Sequence, residues 1–418
     1  MATGIAQVDA LLRGETDLSV QLSLLGSQIL LKDGRITTPA LSIDATGELT
    51  QGARDVTLVG QLFDSGVVTG SSGGPFDLTI RAIQDGPDTD VLVTGTGQNL
   101  ATGIAQADAL LRGQTDLDIS LSLGETLLLT GAKITNPALT VEAEGNLTEG
   151  ARDLRASVTL NNSGAPLGAR GGPLSANLRA VQAGDAYALT LDGTGTNIAT
   201  GQPLADSVLR GVTTFAAEGR FEEGRLRLDT AQVDGASLRA QANGLIANGE
   251  TALDFSARLA NLQQVVAQAP AGPLSASGSV RQATGGALAL NIDADGPGGT
   301  TAQVSGQVAL PGGAVNLDIS GNGPLALANP YIAPQSLIGT ARFDLSMNGQ
   351  PGLAALTGRV TIGDARASIP SAGLAVESIS GTVSLGNNRA QIDLGARLNG
   401  GQISIAGPVT LSGNYPAD

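Results

Sequence analysis

Residues 101–117 repeat residues 2–18 with two changes, Val8 standing for Ala107 and Glu15 for Gln114, and a worn third copy starts at Ala199-Thr200-Gly201. A chain that copies itself is an array, and its period limits what one unit can be. The spacing here is about 98–99 residues, far longer than one coil of a solenoid or one propeller blade. Each unit must therefore hold several secondary-structure elements. The copies divide the chain into residues 1–100, 101–198, a diverged 199–298, and a final 299–418 that shares only strand pattern and Gly-rich turns.

Each copy opens with helical spacing, Ile5, Val8, Leu11 and Leu12, stopped at Gly14. The period then drops to two. Leu18, Val20, Leu22 and Leu24 alternate with Ser19, Gln21 and Ser23, which is a strand with one apolar and one polar face. Lys32-Asp33-Gly34-Arg35 reads as a hairpin turn. Alternation resumes at Leu41 and Ile43, and again at Leu78 and Ile80. The second copy retraces it with Leu117, Ile119, Leu121 and Leu123, then Leu139 and Val141, then Val158 and Leu160. Phe255, Leu290 and Ile292 carry it through the third copy. Leu317, Ile319, Phe343, Leu345, Met347, Ile392, Leu394, Ile403 and Ile405 carry it to the end.

Strand plus turn every 8–12 residues is an all-β spacing. No helices of 10–15 residues intervene, so parallel βαβ units are excluded and neighbouring strands should pair antiparallel. A sheet with one apolar face must cover it with a second sheet, close into a barrel, or offer it to a ligand. Aromatics are only 2 % of the chain and Cys and Trp are absent, which argues against an immunoglobulin-like sandwich. The expectation is one continuous, strongly curved sheet of about 35 short strands, an open trough lined by the aliphatic residues just named. The helical heads would be small caps on its edge.

Composition removes most chemistry. Without His or Cys there is no Ser-His-Asp or Cys-His constellation and no thiolate metal site. A net charge of −15 opposes binding to nucleic acid by phosphate neutralisation. Asp85, Asp88 and Asp90, or Asp293 and Asp295, hint at calcium loops but lack the twelve-residue spacing that ends in Glu. The reading is a non-enzyme with no cofactor and no metal.

The last 120 residues carry a recognisable pattern. It runs through Gly323, Pro324, Asn329, Pro330 and Tyr331, then Leu337, Gly339, Phe343, Leu345 and Gly349. It continues through Leu356, Gly358, Ile362, Gly373, Glu377, Ile379, Gly381, Ala390, Ile392, Gly400, Gly401 and Gly407. This resembles the TamB family of AsmA-like proteins; residues 199–298 resemble it more loosely and 1–198 only by repeat logic. The resemblance implies a bridge-like conduit that carries phospholipid across the periplasm along a β-groove. It also implies a parent protein held in the inner membrane by an N-terminal anchor and meeting an outer-membrane TamA-type barrel. Both ends are expected to lie outside this chain, which would be an internal fragment. Two rival readings remain: a scaffold for outer-membrane protein biogenesis that offers its sheet edge to client strands, and a surface adhesin or autotransporter passenger.

Overall fold

A computed structural model describes residues 6–247, 249–265, 270–282, 286–309 and 313–410; Ile5, part of the expected helical head, lies outside them. The fold is all-β. Twenty-five antiparallel strands belong to one open sheet, accompanied by three six-residue helices, α1 (Ala6–Leu11), α2 (Ala105–Leu110) and α3 (Pro203–Val208). By contact density the chain divides into two units, residues 1–223 and 224–418.

The first unit contains β1 (Asp17–Leu25), β2 (Gln28–Thr37), β3 (Leu41–Glu48), β4 (Asp55–Leu62), β5 (Phe76–Asp85), β6 (Asp88–Gln98) and β7 (Gln114–Leu123). It continues with β8 (Leu127–Thr135), β9 (Leu139–Asn146), β10 (Asp153–Leu160), β11 (Leu174–Ala183), β12 (Ala186–Thr196) and β13 (Val212–Glu222). Each strand pairs with the next in sequence, because the connections are short enough to force neighbours together. The second unit is built the same way from β14 (Arg225–Gly235), β15 (Leu238–Ala247), β16 (Glu250–Leu259), β17 (Leu274–Gln282), β18 (Leu288–Gly296) and β19 (Thr300–Val308). Its remaining strands are β20 (Val315–Pro324), β21 (Ser336–Gly349), β22 (Leu356–Ile369), β23 (Leu374–Gly386), β24 (Arg389–Leu398) and β25 (Gly401–Thr410).

The strands are fewer and longer than the alternation suggested, 25 elements of 8 to 14 residues. The expected hairpin at Lys32-Asp33-Gly34-Arg35 does not exist; those residues lie inside β2. The turn is at Gly26-Ser27, and Lys32-Asp33 form a bulge where the β2–β3 register jumps between Leu31 and Gly34. A bulge inserts one extra residue, bends the strand and increases its twist. The same jump recurs in β8 between Leu129 and Ala132, and in β14 between Leu228 and Ala231.

Paired with the residue just before each bulge stands a glycine with a backbone only glycine adopts readily: Gly47 (φ +150°), Gly145 (φ +143°) and Gly244 (φ +141°). At Gly145 a Cβ would sit 2.0 Å from the Asp153 carbonyl oxygen of β10. A bulge faced by a glycine is a bend in the sheet, repeated once per copy.

The helices are clipped to the sheet by their C-terminal carbonyls. Thr38 Oγ1 donates to the Leu11 carbonyl at 2.9 Å, and Asn136 Nδ2 donates to the Leu110 carbonyl at 2.7 Å. The Gly/Ser-rich loop after β4 is pinned by Asp64, whose Oδ1 accepts from the Gly66 and Gly73 amides at 2.8 and 2.7 Å. Asn162 does the same for Gly164 and Gly171 in the second copy.

Among the described residues only ten hydrophobic side chains are buried. Four of them, Ala365, Val376, Ile379 and Ala396, form the core cluster of the second unit, with Leu325, Leu394 and Ile403 packed against it. A sandwich of this length would bury far more, since interdigitated inner faces are what hold two sheets together.

Candidate functional site: the aliphatic face

Alternation puts the apolar residues of each strand on one side; register decides whether the sides line up. In the first unit they do. Val20, Gly34, Ala45, Leu58, Ile80, Val93 and Ile119 stand opposite one another in turn. The row continues through Ala132, Ala143, Ala156, Leu178, Leu191 and Ala217. It crosses thirteen strands without a polar residue. A parallel row runs Leu18, Ile36, Ile43, Gly60, Leu78, Gly95, Leu117, Ile134, Val141, Val158, Ala176, Gly193 and Phe215.

The second unit has its own rows. One reads Ala231, Ala242, Phe255, Gly278, Ile292, Val304, Ile319, Leu345, Gly358, Leu385, Ala390 and Val409. Beside it, Gly321, Phe343, Val360, Val383, Ile392 and Gly407 face one another, and on its other flank Leu290, Gly306, Leu317, Met347 and Leu356. Directly opposed apolar pairs of this kind are what stabilise an antiparallel sheet.

The residues singled out from sequence thus share the aliphatic face of their unit, at differing depths. Leu41 is buried. Leu18, Val20, Leu22, Leu24, Leu123 and Ile405 are exposed. The rest are half-buried: Ile43, Leu78, Ile80, Leu117, Ile119, Leu121, Leu139, Val141, Val158 and Leu160 in the first unit, and Phe255, Leu290, Ile292, Leu317, Ile319, Phe343, Leu345, Met347, Ile392, Leu394 and Ile403 in the second. Leu394 and Ile403 differ from their neighbours in leaning on the buried cluster.

The opposite face is charged and wet. Arg35 pairs with Asp44, Lys133 with Glu142 at 2.8 Å, Arg81 with Asp55 at 2.7 Å, and Arg179 with Asp153 at 2.7 Å. The Arg81 and Arg179 guanidinium groups, hydrogen-bonded to Asp55 and Asp153, hold those carboxyls below the usual carboxylate range. A concavity of about 710 Å³ opens on this charged side of β7–β12, bordered by Asp118, Lys133, Glu142, Arg155, Arg179 and Asp192. Sequence reasoning did not foresee it. Its signal is the run of facing charges on the odd side of the alternation, which reads only as a solvated surface until strands are registered.

Among the described residues no three carboxylates converge closely enough to hold a metal ion, and no helix is long and apolar enough to cross a membrane. The chain matches no family model, no curated protein and no solved structure.

Proposed function

We propose that this chain is a segment of a lipid conduit, carrying phospholipid acyl chains along its aliphatic face between inner and outer membranes of a diderm bacterium. The observation that carries the reading is the pair of apolar rows that cross every strand of the first unit without interruption, matched by those of the second. A surface meant only to be solvated would break such rows with charge. A surface meant only as core would be covered, and here most of it is half-buried while the described strands form one open sheet.

The mechanism is desolvation. A two-chain phospholipid in water exposes roughly 30 methylenes at about 0.8 kcal/mol each, on the order of 24 kcal/mol. An apolar track that covers even half of them lowers the barrier to transfer by many powers of ten. Side chains limited to Val, Leu, Ile, Ala, Phe, Met and Gly offer no conventional hydrogen bonds that would hold one headgroup in place. The ion-paired face is unsuited to acyl chains, because occupying it would strip water from charges for no return. Periplasmic location, a parent anchored in the inner membrane and contact with a TamA-type barrel belong to the same proposal and rest on the resemblance of residues 299–418.

The test is site-specific photo-crosslinking. A benzoylphenylalanine at Leu345, on the aliphatic face, should form phospholipid adducts detectable by mass spectrometry; one at Asp344, on the other face, should not. Absence of adducts at Leu345, or equal labelling at both positions, would sink the conduit.

A further inference from the structure

We propose that the concavity on the charged face of β7–β12 binds a zwitterionic ligand, one that presents an ammonium beside an oxyanion, with Arg155 and Arg179 taking the oxyanion and Glu144 the ammonium. The lipid reading concerns the other face and plays no part here. What points to a ligand is the difference between two copies of the repeat inside the first unit.

The two copies share a frame of ion pairs. Arg35 with Asp44 and Arg81 with Asp55 form it in the first copy, Lys133 with Glu142 and Arg179 with Asp153 in the second. Inside that frame the chemistry differs. In the first copy Thr46 faces Thr57, and Thr57 faces Arg81. In the second copy Glu144 faces Arg155, and Arg155 faces Arg179. Where the first copy exposes Val59 and Leu92, the second has Ser157 and Thr190. The aliphatic face keeps its character over the same strands: Ile43, Ile80 and Val93 are matched by Val141, Leu178 and Leu191. Glu144, Arg155, Ser157 and Thr190 all border the concavity of about 710 Å³.

Stability does not account for the added charges. Like charges set directly opposite on a sheet repel, and Arg155 faces Arg179. Unlike charges so placed close up in Arg35–Asp44 and Lys133–Glu142. Glu144 and Arg155 are exposed and as directly opposed, yet among the described residues no ion pair or hydrogen bond joins their side chains to each other or to a neighbour. Arg155 acts only at a distance on Asp153, whose carboxyl is held down first by its bonds to Arg179. Arg179 donates Nε and Nη2 to Asp153 at 2.9 and 2.7 Å, which leaves its Nη1 for another acceptor.

The open groups define the ligand. Adjacent guanidinium groups match a phosphate or a carboxylate, which their planar forks bond in pairs. A plain anion would meet Glu144 and Asp153 beside them. A plain cation would meet both arginines. A ligand carrying both charges satisfies both sides. Directly opposed Cβ atoms lie ~5 Å apart, so its two groups are separated by a few bonds. Ser157, Asn177 and Thr190 stand alongside to hydrogen-bond a polar remainder.

The probe is O-phosphoethanolamine, titrated into the full chain and followed by saturation-transfer NMR of the probe. The expected result is saturable binding, weakened about tenfold or more by Arg155→Thr and by Glu144→Thr. Each substitution installs the residue with which the first copy folds, and circular dichroism checks that the sheet survives. Ethanolamine and inorganic phosphate, each half of the probe, should bind at least about tenfold more weakly, a comparison that needs no variant. Vesicles identify the source. Retention of the chain on phosphatidylethanolamine but not phosphatidylglycerol vesicles, lost in both variants, supports a lipid headgroup; binding of the free probe without retention supports a soluble zwitterion. No saturable binding of the probe overturns the proposal. So does binding that both variants keep, and so does inorganic phosphate or ethanolamine binding as tightly as the probe, because the site would then read one charge alone.

Discussion

Replacing Gly145 with alanine should damage the sheet far more than one methyl group suggests. Two separate costs add. The backbone at φ +143° lies where residues with a side chain are strained by about 1–3 kcal/mol. The new Cβ would also lie 2.0 Å from the Asp153 carbonyl oxygen and 2.9 Å from the Leu154 Cα, both backbone atoms of the paired strand. Neither can rotate away, so β10 must shift, at a further ~1–3 kcal/mol typical of overpacking. The expected loss is about 2–6 kcal/mol. Gly131 supplies the control, since it lies in the bulge of β8 two residues past Leu129, the partner of Gly145, and a Cβ there meets nothing within 4 Å. Gly131→Ala should be neutral or stabilising by up to about 1 kcal/mol, through the unfolded chain. Global melting is a poor assay for a long array, whose units need not unfold together. Hydrogen exchange resolved to β8, β9 and β10 measures the local effect. If Gly145→Ala opens those strands no more than Gly131→Ala, the bulge-and-glycine bend is not what shapes the sheet there.

Two further outcomes follow from named contacts. Asp64→Ala leaves the Gly66 and Gly73 amides without their acceptor and should cost the loop after β4 about 1–2 kcal/mol, whereas Asp64→Asn should be tolerated because Asn162 performs the same task; proteolysis at that loop distinguishes them. Asp55 and Asp153 have folded-state pKa values below their unfolded values, so the stability they contribute is present above about pH 3.9 and is lost as pH falls through the folded values. Asp153→Asn should flatten the acid limb of a stability-versus-pH curve, and an unchanged limb would show that the Arg179 pair contributes nothing.

The fold class was legible because period two survives in nearly every strand, and a chain with few aromatics and no second apolar layer has little with which to build a sandwich core. The aliphatic face was legible for the same reason: Leu18, Leu117 and Phe343 stand on it because their neighbours in sequence are polar. The strand count was not legible, and the cause is specific. Apolar positions in β2 step by two through Ile29 and Leu31, then by three to Gly34, then by two to Ile36. A step of three between polar, turn-like residues reads as the end of one strand and the start of another. In the folded sheet it does the opposite. The one extra residue reverses the parity of the strand, so that Gly34 and Ile36 return to the side occupied by Leu31 and the row opposite β1 is preserved. The same step recurs from Leu129 to Ala132 and from Leu228 to Ala231, nearly one period apart each time. Cutting at each bulge breaks strands that are continuous in the sheet, which is one way an expectation of about 35 short strands replaces 25 long ones. A bulge therefore bends the sheet without letting charge onto the aliphatic face, and that is a condition any continuous apolar track must meet where its strands turn.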